Sequence, residues 1–329
     1  MKFTRRRNTT WRKLALSLAL LLLLAAGATW WRAAAREADA RRAQPPEGRF
    51  AVIEGVRIHM VVAGPEDGSV PDLVLIHGAS GSGRDFTFDL VQRLAGRYRV
   101  IVPDRPGFGW SGEAPGKESL ADQARLLAGA AAVVGADRPV VLGHSYGGAV
   151  ALAWGVTMPD RAAALVPVSA PSYAWEGGLP TFYRITSSRL GQALAVPLIA
   201  AWVPEGMIER AVASVFEPQE EPPGYADWFG PRLSASRTTL RVNARERAAL
   251  KPQLAAMEPL YPALPMPVEL VHGMADTTVG ARIHSARLAQ AAPQARLKML
   301  PGVGHMAHHA APDEVIAAID RAAARAGLR

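Results

Sequence analysis

The 329-residue chain contains no cysteine. That excludes disulfide frameworks and thiolate zinc sites, and leaves the redox compartment open, since a cysteine-free domain folds in either. There is also no H-E-x-x-H and no dinucleotide fingerprint placed after a strand. The sequence thus offers neither a zinc-protease helix nor a nucleotide-binding turn, and no metal or organic cofactor is expected. No internal repeat is present.

Net charge is missing from most of the chain as well. The total is 37 basic and 29 acidic residues, but residues 1–42 hold ten of the former and two of the latter, which leaves 27 of each. The excess of +8 is therefore a feature of the N-terminus. A neutral body has no broad basic face for a phosphate backbone, so no nucleic-acid partner is expected.

What the N-terminus does have is an apolar run. Leu14 to Trp31 carries no charge, and Leu20 to Leu24 is leucine throughout. As a helix, residues 14–31 would span about 27 Å, close to the hydrocarbon thickness of a bilayer. Lys2, Arg5, Arg6, Arg7, Arg12 and Lys13 precede it without an acid among them, whereas Glu37 and Asp39 dilute the arginines that follow. This asymmetry keeps the N-terminus in the cytoplasm and exports the rest, with Trp30 and Trp31 at the interface. Ala26-Gly27-Ala28 also has the form of a signal-peptide cleavage site. Two readings stay open: a retained single-pass anchor, or a secreted protein after cleavage. The segments are then a basic flank at 1–13, the anchor or signal at 14–31 and a linker at 32–48.

From Phe50 onward, short Val/Ile/Leu strands alternate with helical patterns. Phe50 to Val62 predicts a hairpin turning near Gly55. Strands are expected at Asp72–Ile76, Arg99–Pro103, Pro139–Leu142, Ala164–Val168, Val268–Val271 and near Arg296–Leu300. Helices are expected at 119–134, 149–158, near 282–291 and at 312–324. Such alternation predicts an α/β fold with a mostly parallel sheet covered by helices on both faces. The alternation stops over 172–263, which holds ten of the 22 aromatic residues and many prolines. This stretch predicts a helical insertion between a first core part at 49–171 and a second at 264–329.

The chemistry centres on Gly143-His144-Ser145-Tyr146-Gly147-Gly148. It contains G-x-S-x-G, with a buried strand running into it and a helix leaving it, the setting of a nucleophile elbow. The turn strains Ser145, and side chains at 143 and 147 would collide with neighbouring backbone, which glycine avoids. A serine hydroxyl needs a base to take its proton, and the base needs a group that fixes its tautomer. In this arrangement the acid and then the histidine follow the serine in the chain. Asp276 follows the strand at 268–271, and His305 follows the strand at 296–300 through Gly302-Val303-Gly304. Both lie past the carboxyl ends of strands, where open α/β sheets place their sites. His59, His272 and His284 read as structural. His308 and His309 sit where a helix begins, as solvated or packing residues that cannot both point at the site.

With these blocks, His77-Gly78-Ala79-Ser80-Gly81 and Asp104-Arg105-Pro106-Gly107-Phe108-Gly109-Trp110-Ser111, residues 50–329 resemble the α/β-hydrolase family, near its single-chain esterases, C–C hydrolases and haloperoxidase-like members. The resemblance implies that the backbone N–H groups of Ala79 and Tyr146 form the oxyanion hole. It also implies that the Asp104 block shapes a loop under the pocket and that 172–263 is a cap selecting the substrate. Family members that open epoxides or remove halide carry Asp at the elbow, so Ser145 disfavours both reactions. The expectation is a carboxylic-ester hydrolase with Ser145 as nucleophile, His305 as base and Asp276 as its orienting acid. Its substrate would be a small apolar ester. A C–C hydrolase or cofactor-free perhydrolase would use the same three residues. A non-catalytic small-molecule receptor would keep the fold but not need all three.

Overall fold

The structure is a computed structural model and describes residues 4–328. Lys2 of the basic flank lies outside the described residues. A long helix, α1 (Thr4–Ala43), precedes the hairpin β1 (Arg49–Ile53) and β2 (Val56–Ala63). There follow β3 (Asp72–Ile76), α2 (Arg84–Thr87), α3 (Leu90–Leu94), β4 (Arg99–Pro103), α4 (Leu120–Val133), β5 (Val140–His144), α5 (Tyr146–Thr157) and β6 (Ala164–Val168). The insertion contributes α6 (Thr181–Ser187), α7 (Arg189–Ala193), α8 (Ala195–Trp202), α9 (Glu205–Ser214), α10 (Tyr225–Phe229) and α11 (Arg237–Met257). The core then resumes with β7 (Val268–Gly273), α12 (Ser285–Ala291), β8 (Ala295–Leu300), α13 (Ala307–Ala310) and α14 (Pro312–Arg325).

The eight strands form one sheet in the order β1-β2-β4-β3-β5-β6-β7-β8. Strand β2 is antiparallel to both β1 and β4, and all other pairs are parallel. The hairpin turns at Glu54-Gly55, both with positive φ, the twist a two-residue hairpin requires. Each central strand is buried on both faces, so its side chains divide between two cores with period two. Val141 joins the core under α4 and α5, while Val140 and Leu142 join the core under α3 and α14. Helix α4 starts as its sequence demands, with Ser119 Oγ accepting from Asp122 N at 3.0 Å and closing an otherwise open helix end.

The segment expected to be a linker at 32–48 is helical as far as Ala43 and lies against the insertion. Ala33 packs with Ala200 and Ala201 of α8. Arg32 Nε and Arg36 Nη1 both donate to the carbonyl of Ala201, at 2.9 and 2.8 Å. Glu37 and Arg237 form a doubly hydrogen-bonded ion pair, at 2.8 Å for each contact. An alanine- and arginine-rich stretch is a good helix former. Its arginines find partners at carbonyls of the C-terminal end of α8, so composition alone misreads it as a linker.

Candidate active site

Four loops at the carboxyl ends of β3, β5, β7 and β8 converge beside the point where the strand order reverses. Ser145 sits between β5 and α5 with φ 53° and ψ −125°, a conformation that costs a non-glycine residue about 1–3 kcal/mol. The flanking glycines explain how the turn closes. A Cβ at Gly143 would stand 2.1 Å from the carbonyl oxygen of Gly147, and one at Gly147 would stand 2.1 Å from that of Ile76. Neither position accepts a side chain.

Ser145 Oγ lies 2.9 Å from His305 Nε2, and His305 Nδ1 lies 2.8 Å from Asp276 Oδ2. A carboxylate can only accept, so Nδ1 carries the hydrogen and Nε2 is left to accept from the serine hydroxyl. Asp276 Oδ1 also accepts from the backbone N–H groups of Thr278 and Val279, at 2.8 and 2.9 Å. Burial would raise the pKa of this carboxyl. Hydrogen bonds from His272 and His305 outweigh that and hold it well below the usual carboxylate range. His272, expected to be only structural, thus contributes to the site. Its Nε2 lies 3.2 Å from Asp276 Oδ2, and its Nδ1 lies 2.6 Å from the hydroxyl of Ser285.

Tyr146 opens α5, and the first N–H groups of a helix have no partner within it. Ala79 stands in the loop after β3. The preceding residue, Gly78, is so near the serine that a Cβ on it would come within 3.1 Å of Ser145 Cβ. This loop is held from behind. Arg105 Nε and Nη2 donate to the carbonyls of His77 and Gly78, both at 3.1 Å, and Arg105 N donates to His77 Nε2 at 2.9 Å. Burial, with Arg105 nearby, pushes the His77 pKa down to about 4, so this imidazole stays neutral and accepts. Arg105 is itself fully buried and pairs with Glu246 of α11 at 2.7 Å. Asp104 accepts from the N–H groups of Gly83 and Trp110, at 2.7 and 2.9 Å, and pairs with His59 Nδ1 at 2.8 Å. The Asp104 block therefore acts behind the Ala79 loop, through Arg105, without lining the cavity.

His308 and His309 are packing residues, one of the two roles expected of them, but their side chains share a single partner. They are neither solvated nor turned apart. His308 Nε2 lies 3.1 Å from Asp85 Oδ2, and His309 Nε2 lies 2.9 Å from Asp85 Oδ1. Adjacent helix positions diverge by about 100°, yet the two oxygens of one carboxylate between them meet both rings. Tyr225 OH donates to the same carboxylate at 2.8 Å. Next to it, His144 Nε2 donates to the carbonyl of His305 at 3.1 Å, which leaves His144 Nδ1 as a buried lone pair. Burial first, then His308 and His305, holds the His144 pKa well below the usual imidazole value. Asp85, His144 and His308 each place one ligand atom within 4.8 Å of the others, and among the described residues this is the set that could hold a metal ion. Sequence gave no hint of Asp85, which lies on a short helix 60 residues from the serine.

A cavity of ≈ 470 Å³ opens over Ser145, lined by Gly78, Ala79 and His305 from the core and by Phe182, Ile199 and Phe229 from the insertion. It is mostly apolar, with polar side chains that include Ser145, His305 and, from the insertion, Ser234 and Arg247, the mix usual for a small-molecule site.

Residues 73–318 match the alpha/beta hydrolase family, and the chain belongs to that family. Haloalkane dehalogenase 2 of Mycobacterium bovis is 26% identical over 285 residues, which is 84% of this chain and 94% of that protein. The structure of a thermophilic esterase from Thermogutta terrifontis aligns with TM-score 0.68 at 22% identity, covering 85% of this chain and 99% of that one. A membrane phospholipase A described as a bacterial virulence factor aligns with TM-score 0.64 at 20% identity, covering 94% and 99%. At such identities the two structures share the fold with this chain. The chain is an alpha/beta hydrolase of a superfamily that includes esterases and dehalogenases.

Proposed function

We propose that this protein is a serine esterase acting on apolar carboxylic esters, with Ser145, His305 and Asp276 as its catalytic residues. The observation that carries the reading is the hydrogen-bonded line from Ser145 Oγ through His305 to Asp276. In this reading Ser145 Oγ attacks the ester carbonyl while its proton passes to His305 Nε2. The oxygen of the tetrahedral intermediate takes its negative charge toward the N–H groups of Ala79 and Tyr146. His305 then protonates the departing alcohol, leaving an acyl-serine. Water gives a proton to His305 and attacks the acyl carbon, and the acid leaves as Ser145 recovers its proton. Asp276 stays ionised throughout and stabilises the imidazolium.

A serine at the elbow separates this chain from dehalogenation and epoxide opening, for which the nucleophile is a carboxylate. The apolar cavity walls from α6, α8 and α10 support an apolar acyl or alcohol group, and residues 172–263 act as the cap that selects it. Helix α1 is, among the described residues, the single unbroken helix long and apolar enough to cross a membrane. We take residues 14–31 as a retained anchor with the catalytic body exported. Labelling with a fluorophosphonate, followed by a panel of esters of graded chain length, tests the activity. Failure to label Ser145 sinks it. Recovery of a mature N-terminus at Thr29 would replace the anchor by a cleaved signal.

A further inference from the structure

Seven of the large apolar side chains exposed outside α1 fall within one short stretch of the insertion, residues 182–207. Four of them, Leu190, Leu194, Leu198 and Trp202, recur every fourth residue along α7 and α8 and are 70%, 58%, 52% and 51% exposed. On helices that spacing places them in one stripe. Phe182 of α6 and Met207 of α9, each about half exposed, also line the cavity over Ser145. A contiguous exposed apolar patch of this kind marks an interaction surface.

The stripe meets α1. Trp202 Nε1 donates to Thr29 Oγ1 at 3.1 Å, and the Arg32 guanidinium lies 4.7 Å over the Trp202 ring. N-terminal to Thr29, the leucines from Leu14 to Leu24 are exposed. Apolar surface therefore runs from the leucines of α1 through Trp30, Trp31 and Trp202 onto α8, without an acidic residue between Leu190 and Trp202. Arg36 also faces Glu205, and Glu37 is paired with Arg237, so the angle between α1 and the insertion is fixed by ionic contacts as well as by packing. Arg184 and Arg189 flank the stripe, as suits a surface of anionic lipid.

We propose that the α6–α9 face rests on the same lipid bilayer that holds α1, and that an acyl ester carried by a lipid passes from the bilayer into the cavity between α6, α8 and α9. The docking half stands on the exposed stripe and its continuity with α1, and rests on the reading of residues 14–31 as a retained anchor. The substrate half rests on the serine-esterase reading above.

The absence of cysteine makes the test clean. Single substitutions Leu190→Cys, Leu198→Cys and Val133→Cys in the full chain are each labelled with an environment-sensitive fluorophore. The proteins are then reconstituted in phosphatidylcholine vesicles with about one phosphatidylglycerol in five. Val133 ends α4, at the opposite edge of the sheet from the site, and is 62% exposed. Labels at 190 and 198 should be quenched by lipid-borne nitroxide and shielded from aqueous iodide, and the label at 133 should behave in the opposite way. Iodide quenching at 198 as strong as at 133 overturns the docking. Shielding from both quenchers means that protein covers the face, a second copy included, and overturns it too.

The double variant Leu194→Asp, Leu198→Asp tests the route. It should lose about tenfold or more in turnover of a long-chain ester embedded in vesicles, the cost of roughly one apolar contact pair lost to water. A short water-soluble ester should turn over unchanged. Equal rates on the embedded ester, or equal losses on both substrates, overturn the route. Full activity in Ser145→Ala would sink the esterase reading while leaving the quenching result to decide the docking by itself.

Discussion

His305 Nε2 stands 2.9 Å from Ser145 Oγ, although 160 residues of chain separate them. The contact closes because β8 and β5 deliver their carboxyl ends to the same edge, and because the positive φ of Ser145 lifts its side chain off the sheet. The strain and the proposed nucleophile reside in one residue, and substitutions can separate them.

Ser145→Ala should lower ester turnover by on the order of 10⁶ with the fold intact. Ser145→Gly should be equally inactive yet more stable, by about 1 kcal/mol, because glycine occupies positive φ without strain. Paired activity assays and urea melts check both. An alanine variant keeping a tenth of the activity would contradict the assignment.

Three neighbouring histidines should separate by effect. His305→Ala removes the proposed base and should be as inactive as Ser145→Ala. His309→Ala takes one partner from the buried Asp85 carboxylate, which keeps His308 and Tyr225. It should retain most of its turnover and lose about 1–3 kcal/mol of stability. Denaturant midpoints beside steady-state rates would show the split, and an inactive but fully stable His309→Ala would refute it.

The acid limb of the rate profile should reflect one proton. Asp276 has its pKa depressed by hydrogen bonds from His272 and His305 against the effect of burial, so it remains ionised far into the acid range. Its contribution to stability is present above the ordinary carboxylate pKa and fades only as the pH falls through its lower folded value. In kcat/KM plotted against pH, the limb should have unit slope. Asp276→Asn should lose about 10⁴ in turnover, through the wrong tautomer of the base. A limb steeper than one proton would show a second group titrating with it.

Dialysis against a strong chelator should leave the rate unchanged, since Asp85 is already engaged by His308, His309 and Tyr225. A loss of activity restored by a divalent ion would assign that ion to Asp85, His144 and His308.

Glu246→Ala should destabilise the protein by about 3–5 kcal/mol by leaving the Arg105 charge buried without its counter-ion. Because Arg105 holds the carbonyls of His77 and Gly78, the variant should also turn over more slowly even where it remains folded. Glu246→Gln, which keeps an acceptor for Arg105, should lose less on both counts. Equal losses in the two variants would show that the charge alone matters.

Strands and the elbow were legible because their signals are local. Asp72–Ile76, Arg99–Pro103 and Ala164–Val168 appear with the expected bounds, since a short run buried on both faces has few other places to go. Helix α5 begins at Tyr146, three residues before the expected Ala149, because the glycines at 147 and 148 are dictated by close packing at the elbow and weaken the helical pattern. Asp276 and His305 could be found from the strands that precede them. The roles of Asp85, His272 and Glu246 could not, because each depends on a partner brought near by tertiary packing. Arg105 stands in a recognisable block, but nothing in the sequence points it at a carboxylate 141 residues away. The docking of α1 was hidden for the same reason, since Arg32 and Arg36 donate to backbone carbonyls that leave no mark on the sequence.

The pairing of Arg105 with Glu246 constrains how such a protein can change. Loops after strands usually vary independently of the sheet that carries them, and an insertion between β6 and β7 invites exchange between relatives as a ready-made specificity cassette. Here the cassette carries half of an ion pair whose other half braces the loop that positions Ala79. A chimera that replaced α11 without restoring an acidic residue at 246 would strand a guanidinium in the interior and loosen the loop beneath the reacting carbonyl. Substrate range in this lineage should therefore drift by point changes on α6, α8 and α9, with α11 inherited together with the core.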